Sequence, residues 1–191
     1  LASGYQNPLV SYYYLVEALK YQQPKVVVLD ASWLIRSIEV DANETFLRLS
    51  VDPLRFSLNK LRLIEEIVSR SSNQTAASYL FPLLRYHARW KELTRDDLFF
   101  YSREFENRYK GQGLSFKKTP LSFPETAFSP TDRSARIDDE ARLYYLKFIR
   151  LCEQNGIPVI MINTPRIGWD LSKHNAVKSF ADKYGILYLD Y

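Results

Sequence analysis

The sequence predicts a single three-layer α/β domain built on a parallel sheet, and three observations predict it. Apolar runs of strand length recur at Lys25-Val-Val-Val-Leu-Asp30, Ile157-Pro-Val-Ile-Met-Ile-Asn163 and Ile186-Leu-Tyr-Leu-Asp190. Segments of helical period separate them. Each run is continuous rather than alternating, the pattern of strands buried on both faces. Strands that alternate with helices call for right-handed crossovers, and these lay helices on both sides of the sheet.

Taken in order, Asn7-Pro8 reads as an N-cap followed by proline at the first helical position, opening a helix that ends near Tyr21 before Gln23-Pro24. The strand over 25–30 follows. From Leu58 to Asn107 the chain shows helical period, with Leu61, Ile64 and Val68 on one stripe, and reads as three or four short helices. From Asn107 to Ile137, Gly111, Gly113, Pro120, Pro124 and Pro130 interrupt any period, and unpatterned stretches of that length serve as lids or wrapping loops. Residues 58–137 thus form a helical insertion and long loop inside one domain spanning 1–191. Asp138 to Asn155 is an amphipathic helix with Ala141, Tyr145, Ile149 and Cys152 on one stripe and Gly156 past its end. After the strand at 157–163 comes a loop, Thr164 to Leu171. Ser172 then reads as the N-cap of a helix to Tyr184, which Gly185 terminates.

With 191 residues, 46% of them apolar and 25% charged, the composition is that of one globular core. Nothing resembles a signal peptide or a membrane span, so the chain reads as soluble. The net charge of +4 comes wholly from residues 85–118, where nine Lys and Arg face five acids. Such a surface attracts anionic polymers, but no nucleic-acid-binding signature accompanies it, so nucleic acid is not expected as a partner. The fourteen Tyr and eleven Phe suit a sugar groove as well as a core. The lone Cys152 excludes an internal disulfide, and its place on the apolar stripe makes it a small hydrophobe rather than a nucleophile. Gly-x-Ser-x-Gly elbows, Walker loops and dinucleotide fingerprints are absent, and no cofactor or metal is expected.

In open parallel sheets, ligands bind beyond the carboxyl ends of the strands. Four segments qualify: Ser3 to Asn7, Asp30 to Trp33, Asn163 to Trp169, and Asp190-Tyr191. Gly4, Gln6 and Asn7 precede a helix N-terminus, where free N–H groups can hold an anion or merely cap the turn. Asp30 either orients a base or caps the next segment. Thr164, Trp169, His174 and Asn175 line the mouth after the second strand. His174 is one of two histidines able to act as general base, and His87, flanked by Arg85, Arg89 and Trp90, is the other. Neither stands at metal-ligand spacing.

Several blocks together resemble one family. Leu1-Ala-Ser-Gly-Tyr-Gln-Asn-Pro8 with its Tyr-rich helix, Gln23 to Asp30, Phe81 to Trp90, and Ile162 to Trp169 with Lys173-His-Asn175 are similar to SGNH/GDSL-like proteins of the bacterial cell envelope. The resemblance implies a flavodoxin-like sheet, a Ser-His-Asp site, and an esterase or O-acyltransferase acting on an acylated glycan or cell-wall polymer. It also implies placement on the outer face of the envelope, beside a membrane-bound O-acyltransferase. Gly4 would be the oxyanion-hole glycine. The family's Gly-x-Ser should precede Leu1 and its Asp-x-x-His should follow Tyr191, so both ends read as cut and the chain alone is expected to lack esterase activity. Asp30 stands where the family's esterases carry Asn. A strand edge at Val26–Leu29 is then left unpaired and prone to associate. The competing reading is a non-catalytic protein of the same fold that binds a glycan or an O-acyltransferase.

Overall fold

The computed structural model describes residues 6–81, 135–166 and 168–191. Helix α1, Pro8–Ala18, begins as expected: Asn7 Oδ1 accepts from Val10 N at 3.0 Å, and Pro8 occupies the first turn, where its missing N–H costs nothing. Strand β1, Val27–Asp30, leads into a 3₁₀ turn, Ala31–Ile35, capped by the Asp30 side chain. Helices α2 (Glu44–Val51), α3 (Leu58–Val68) and α4 (Ala76–Leu80) follow. After residue 134 come α5 (Asp139–Gln154), β2 (Val159–Asn163), α6 (Leu171–Lys183) and β3 (Leu187–Asp190).

The strands lie in the order β1-β2-β3, all parallel. Val27 N donates to the Pro158 carbonyl at 3.0 Å, and the register then pairs Leu29 with Met161 and Met161 with Tyr188. The expected parallel neighbours are therefore present. Gly156 and Gly185 take φ of 65° and 64° just past α5 and α6, as helix-terminating glycines do.

Two buried clusters form the core. One joins Leu9 and Val10 of α1 to Leu47, Val51, Leu63, Ile64, Ile67 and Tyr79. The other packs Leu29 and Met161 against Tyr145, Phe148, Ile149 and Cys152 of α5 and Val177 and Phe180 of α6. Between α1, α3 and α5, Glu66 accepts from the Tyr13 hydroxyl at 2.7 Å and from the Tyr144 hydroxyl, while Arg70 bonds Glu140 and Tyr144.

Four expectations need correction. A helix, α2, precedes residue 58, where none was expected. The buried stripe of α3 is Leu63, Ile64 and Ile67, not Leu61, Ile64 and Val68, because contact with α1 selects that face. The N-cap of α6 is Asp170, whose carboxylate accepts from Lys173 N at 3.0 Å; Ser172 Oγ instead accepts from Ala135 N at 2.8 Å. Finally, β1 is not buried on both faces. Leu29 is buried, whereas Val28 and its row-mate Leu187 are 55% and 56% exposed. Among the described residues the helices cover only the face bearing Leu29, Met161 and Tyr188.

Candidate functional site

The polar ends of β2 and β3 meet because the parallel register sets Asn163 beside Asp190. Both point to the face that α6 crosses, and Asn163 Nδ2 donates to Asp190 Oδ1 at 2.8 Å. Two residues back on the same face, the Tyr188 hydroxyl donates to Oδ2 at 2.9 Å. The loop before α6 turns at Gly168, φ 74°, and delivers the Trp169 indole, whose Nε1 donates to Oδ2 at 2.9 Å. His174 shares a helical stripe with the buried Val177 and Ala181, so it stands over the strand tips with Nδ1 2.5 Å from Asp190 Oδ2. Burial opposes ionisation of Asp190, but the bonds from Asn163, His174, Trp169 and Tyr188 outweigh it and hold the carboxyl below its ordinary value. The adjacent Tyr188 phenol is pushed up, by burial first and then by that carboxylate.

A carboxylate at Nδ1 assigns the proton to that nitrogen and leaves Nε2 as the basic lone pair. Among the described residues Nε2 makes no hydrogen bond, and the side chain is 31% exposed. Asn163 is fully buried, and its Oδ1 has no hydrogen-bond partner there either. The result is an oriented imidazole with one free acceptor nitrogen at the mouth of the sheet, the geometry of a general base.

A second polar group ties β1 to the loop after β2. Arg166 donates to Ser32 Oγ at 2.6 Å and pairs with Asp30 at 3.4 Å. Asp30 also accepts from Ser32 N at 2.9 Å, so it serves as a cap and ion-pair partner rather than as an orienter of His174.

Of the residues expected to converge, Trp169 and His174 meet on Asp190, and Asp30 meets Arg166. Thr164 and Asn175 are exposed and make no side-chain hydrogen bond among the described residues. Asn7 is the α1 cap. Gln6 lines an open cleft of about 520 Å³ between α1 and β1, with Leu15, Ala18, Val28 and Trp33. Gly4, Arg85, His87, Arg89 and Trp90 lie outside the described residues. The sequence reading placed Asp190 at a strand tip without giving it a role, and it gave none to Asn163, Tyr188, Arg166 or Ser32. The available signal was that β2 and β3 each close on a polar residue, which a parallel register sets side by side.

No cluster of His, Cys, Asp and Glu among the described residues is arranged to hold a metal ion. Comparison with known proteins finds no protein-family model, no curated protein and no solved structure that matches the chain.

Proposed function

We propose that the chain carries the base of an SGNH-like esterase or O-acyltransferase acting on acylated cell-surface carbohydrate. The observation that carries this reading is the His174–Asp190 pair at the carboxyl edge of a parallel sheet. In the proposed cycle His174 Nε2 takes the proton of the attacking hydroxyl, that of a serine, water or a sugar, as its oxygen bonds the acyl carbon. The imidazolium then returns the proton to the leaving alkoxide. Asp190 stays ionised and stabilises the imidazolium between these steps. This assigns the base to His174, in place of the Asp-x-x-His block expected beyond Tyr191.

The carbohydrate substrate, the outer face of the envelope and a membrane-bound O-acyltransferase partner rest on the sequence resemblance alone. On the same reading the sheet belongs to a three-layer, flavodoxin-like arrangement, in which a second helical layer would cover Val28, Ile160 and Leu187. Among the described residues no helix is long and apolar enough to cross a membrane.

One observation favours a second reading, glycan binding without catalysis: Asp190 is saturated by four donors and no hydroxyl reaches His174 Nε2 among the described residues. Acetate release from an acetylated oligosaccharide, by the protein expressed from its own gene, separates the two. His174→Gln should lower turnover roughly 10²–10⁴-fold, as loss of a general base does. Turnover that His174→Gln leaves intact refutes the assignment, and glycan binding without turnover selects the second reading.

A further inference from the structure

The turn between α2 and α3 presents apolar side chains to solvent. Phe56 is 78% exposed, Leu58 74% and Tyr21 64%, so two of the three most exposed large apolar residues among those described stand two positions apart. Single exposed apolar residues are ordinary on a protein surface; a cluster on one turn is not. The turn is rigidly held. Ser57 Oγ caps α3 by accepting from Lys60 N at 3.2 Å, and Lys60 Nζ donates to the carbonyls of Asp52 and Leu54 at 3.2 and 2.9 Å. Tyr21, just beyond α1, joins the cluster through the Arg55 guanidinium, which sits 5.5 Å from its ring centre. Asn59 Nδ2 locks the base of the turn to α1 by donating to the Tyr13 carbonyl and to Glu17.

The charge around this tip is positive. Lys20, Arg55, Lys60 and Arg62 lie on or beside it in the chain, with Glu17 and Asp52 the nearest acids and Glu65 and Glu66 following one turn after Arg62. Glu17 is buried and already paired with Lys20 at 2.6 Å, whereas Arg55 and Arg62 are exposed and have no ion-pair partner among the described residues. Leu58 and Arg62 fall on one face of α3, one turn apart.

We infer that this tip is a docking surface for an anionic lipid bilayer. Exposed aromatic and aliphatic side chains with cations beside them match the two requirements of peripheral binding, apolar insertion at the headgroup boundary and attraction to acidic lipid. Side chains exposed to this degree suit insertion into a fluid interface. The surface is independent of the catalytic reading.

The test is co-sedimentation with vesicles of phosphatidylcholine alone and of phosphatidylcholine with phosphatidylglycerol. The protein should bind the acidic vesicles, release from them at high salt, and ignore the neutral ones. Phe56→Ser with Leu58→Ser, and separately Arg55→Glu with Arg62→Glu, should each weaken binding at least about tenfold. The thermal melt checks that each variant is folded. As a second readout, the emission of Phe56→Trp should shift to the blue on adding acidic vesicles. Absence of binding to acidic vesicles, including the case in which the patch captures an acidic protein instead, overturns the inference. So does binding that the double serine variant leaves intact.

Discussion

Asp190 gathers its four hydrogen bonds from four different places: a neighbouring strand, its own strand, a loop and a helix. Its carboxyl therefore titrates lower folded than unfolded, where the ordinary value is about 3.9. A depressed carboxyl contributes stability that is complete above the unfolded value and is lost as pH falls through the folded one. Asp190→Asn should cost roughly 2 kcal/mol or more at neutral pH, since an amide turns donors toward donors in a buried cluster. It should also flatten the loss of stability below about pH 4. Urea melts at neutral pH and in the acid range check both; parallel losses in wild type and variant would discount the cluster. None of this is legible in a sequence where Asn163, Trp169, His174 and Asp190 are separated by up to 27 positions. Strand tips are readable, but which side chains share one carboxylate depends on register and on the helix laid across it.

Helix boundaries were more legible, wherever a capping residue had one possible use. Asn7-Pro8 and Asp138 each cap the helix they were expected to open. Asn7→Ala should lower stability by about 1 kcal/mol, with Asn7→Ser recovering most of it. Equal loss in both would mean that Asn7 acts through packing, since it is buried. Ahead of α6, Asp170 and Ser172 both qualify by residue type, and tertiary contact decides: the Ser172 hydroxyl is spent on Ala135 N. Helix α2 is not legible because exposed Phe46 and Leu49 blur the Leu47 and Val51 pair that it buries. Its four large apolar residues read as no clear period.

For the whole molecule, three parallel strands in sequence order were legible from the alternation of apolar runs and helices. The coverage of the sheet was not. A run such as Val26-Val-Val-Leu29 reads the same whether one face or two are buried, and here Val26 and Val28 are 43% and 55% exposed. In a parallel ladder the N–H and C=O of one residue point to the same side, so Val27 and Leu29 bond β2 while Val28 turns its own pair to the other edge, which no strand among the described residues pairs. Such an edge is a template for another strand. Sedimentation mass should rise with protein concentration and stay monomeric for Val28→Lys. Val28→Pro should act likewise without breaking the β1–β2 ladder, because the amide it removes is not used there. Equal mass for all three proteins would show the edge to be inert.

Cys152 occupies the inner stripe of α5, fully buried, its thiol pushed up to about 11 by burial and then by Glu153. At neutral pH it is both protonated and walled off, so a thiol reagent reacts only in moments when α5 lifts from the sheet. Being the only sulfhydryl in 191 residues, it is a built-in clock for those openings, and the labelling half-life in native buffer measures how often the core comes apart.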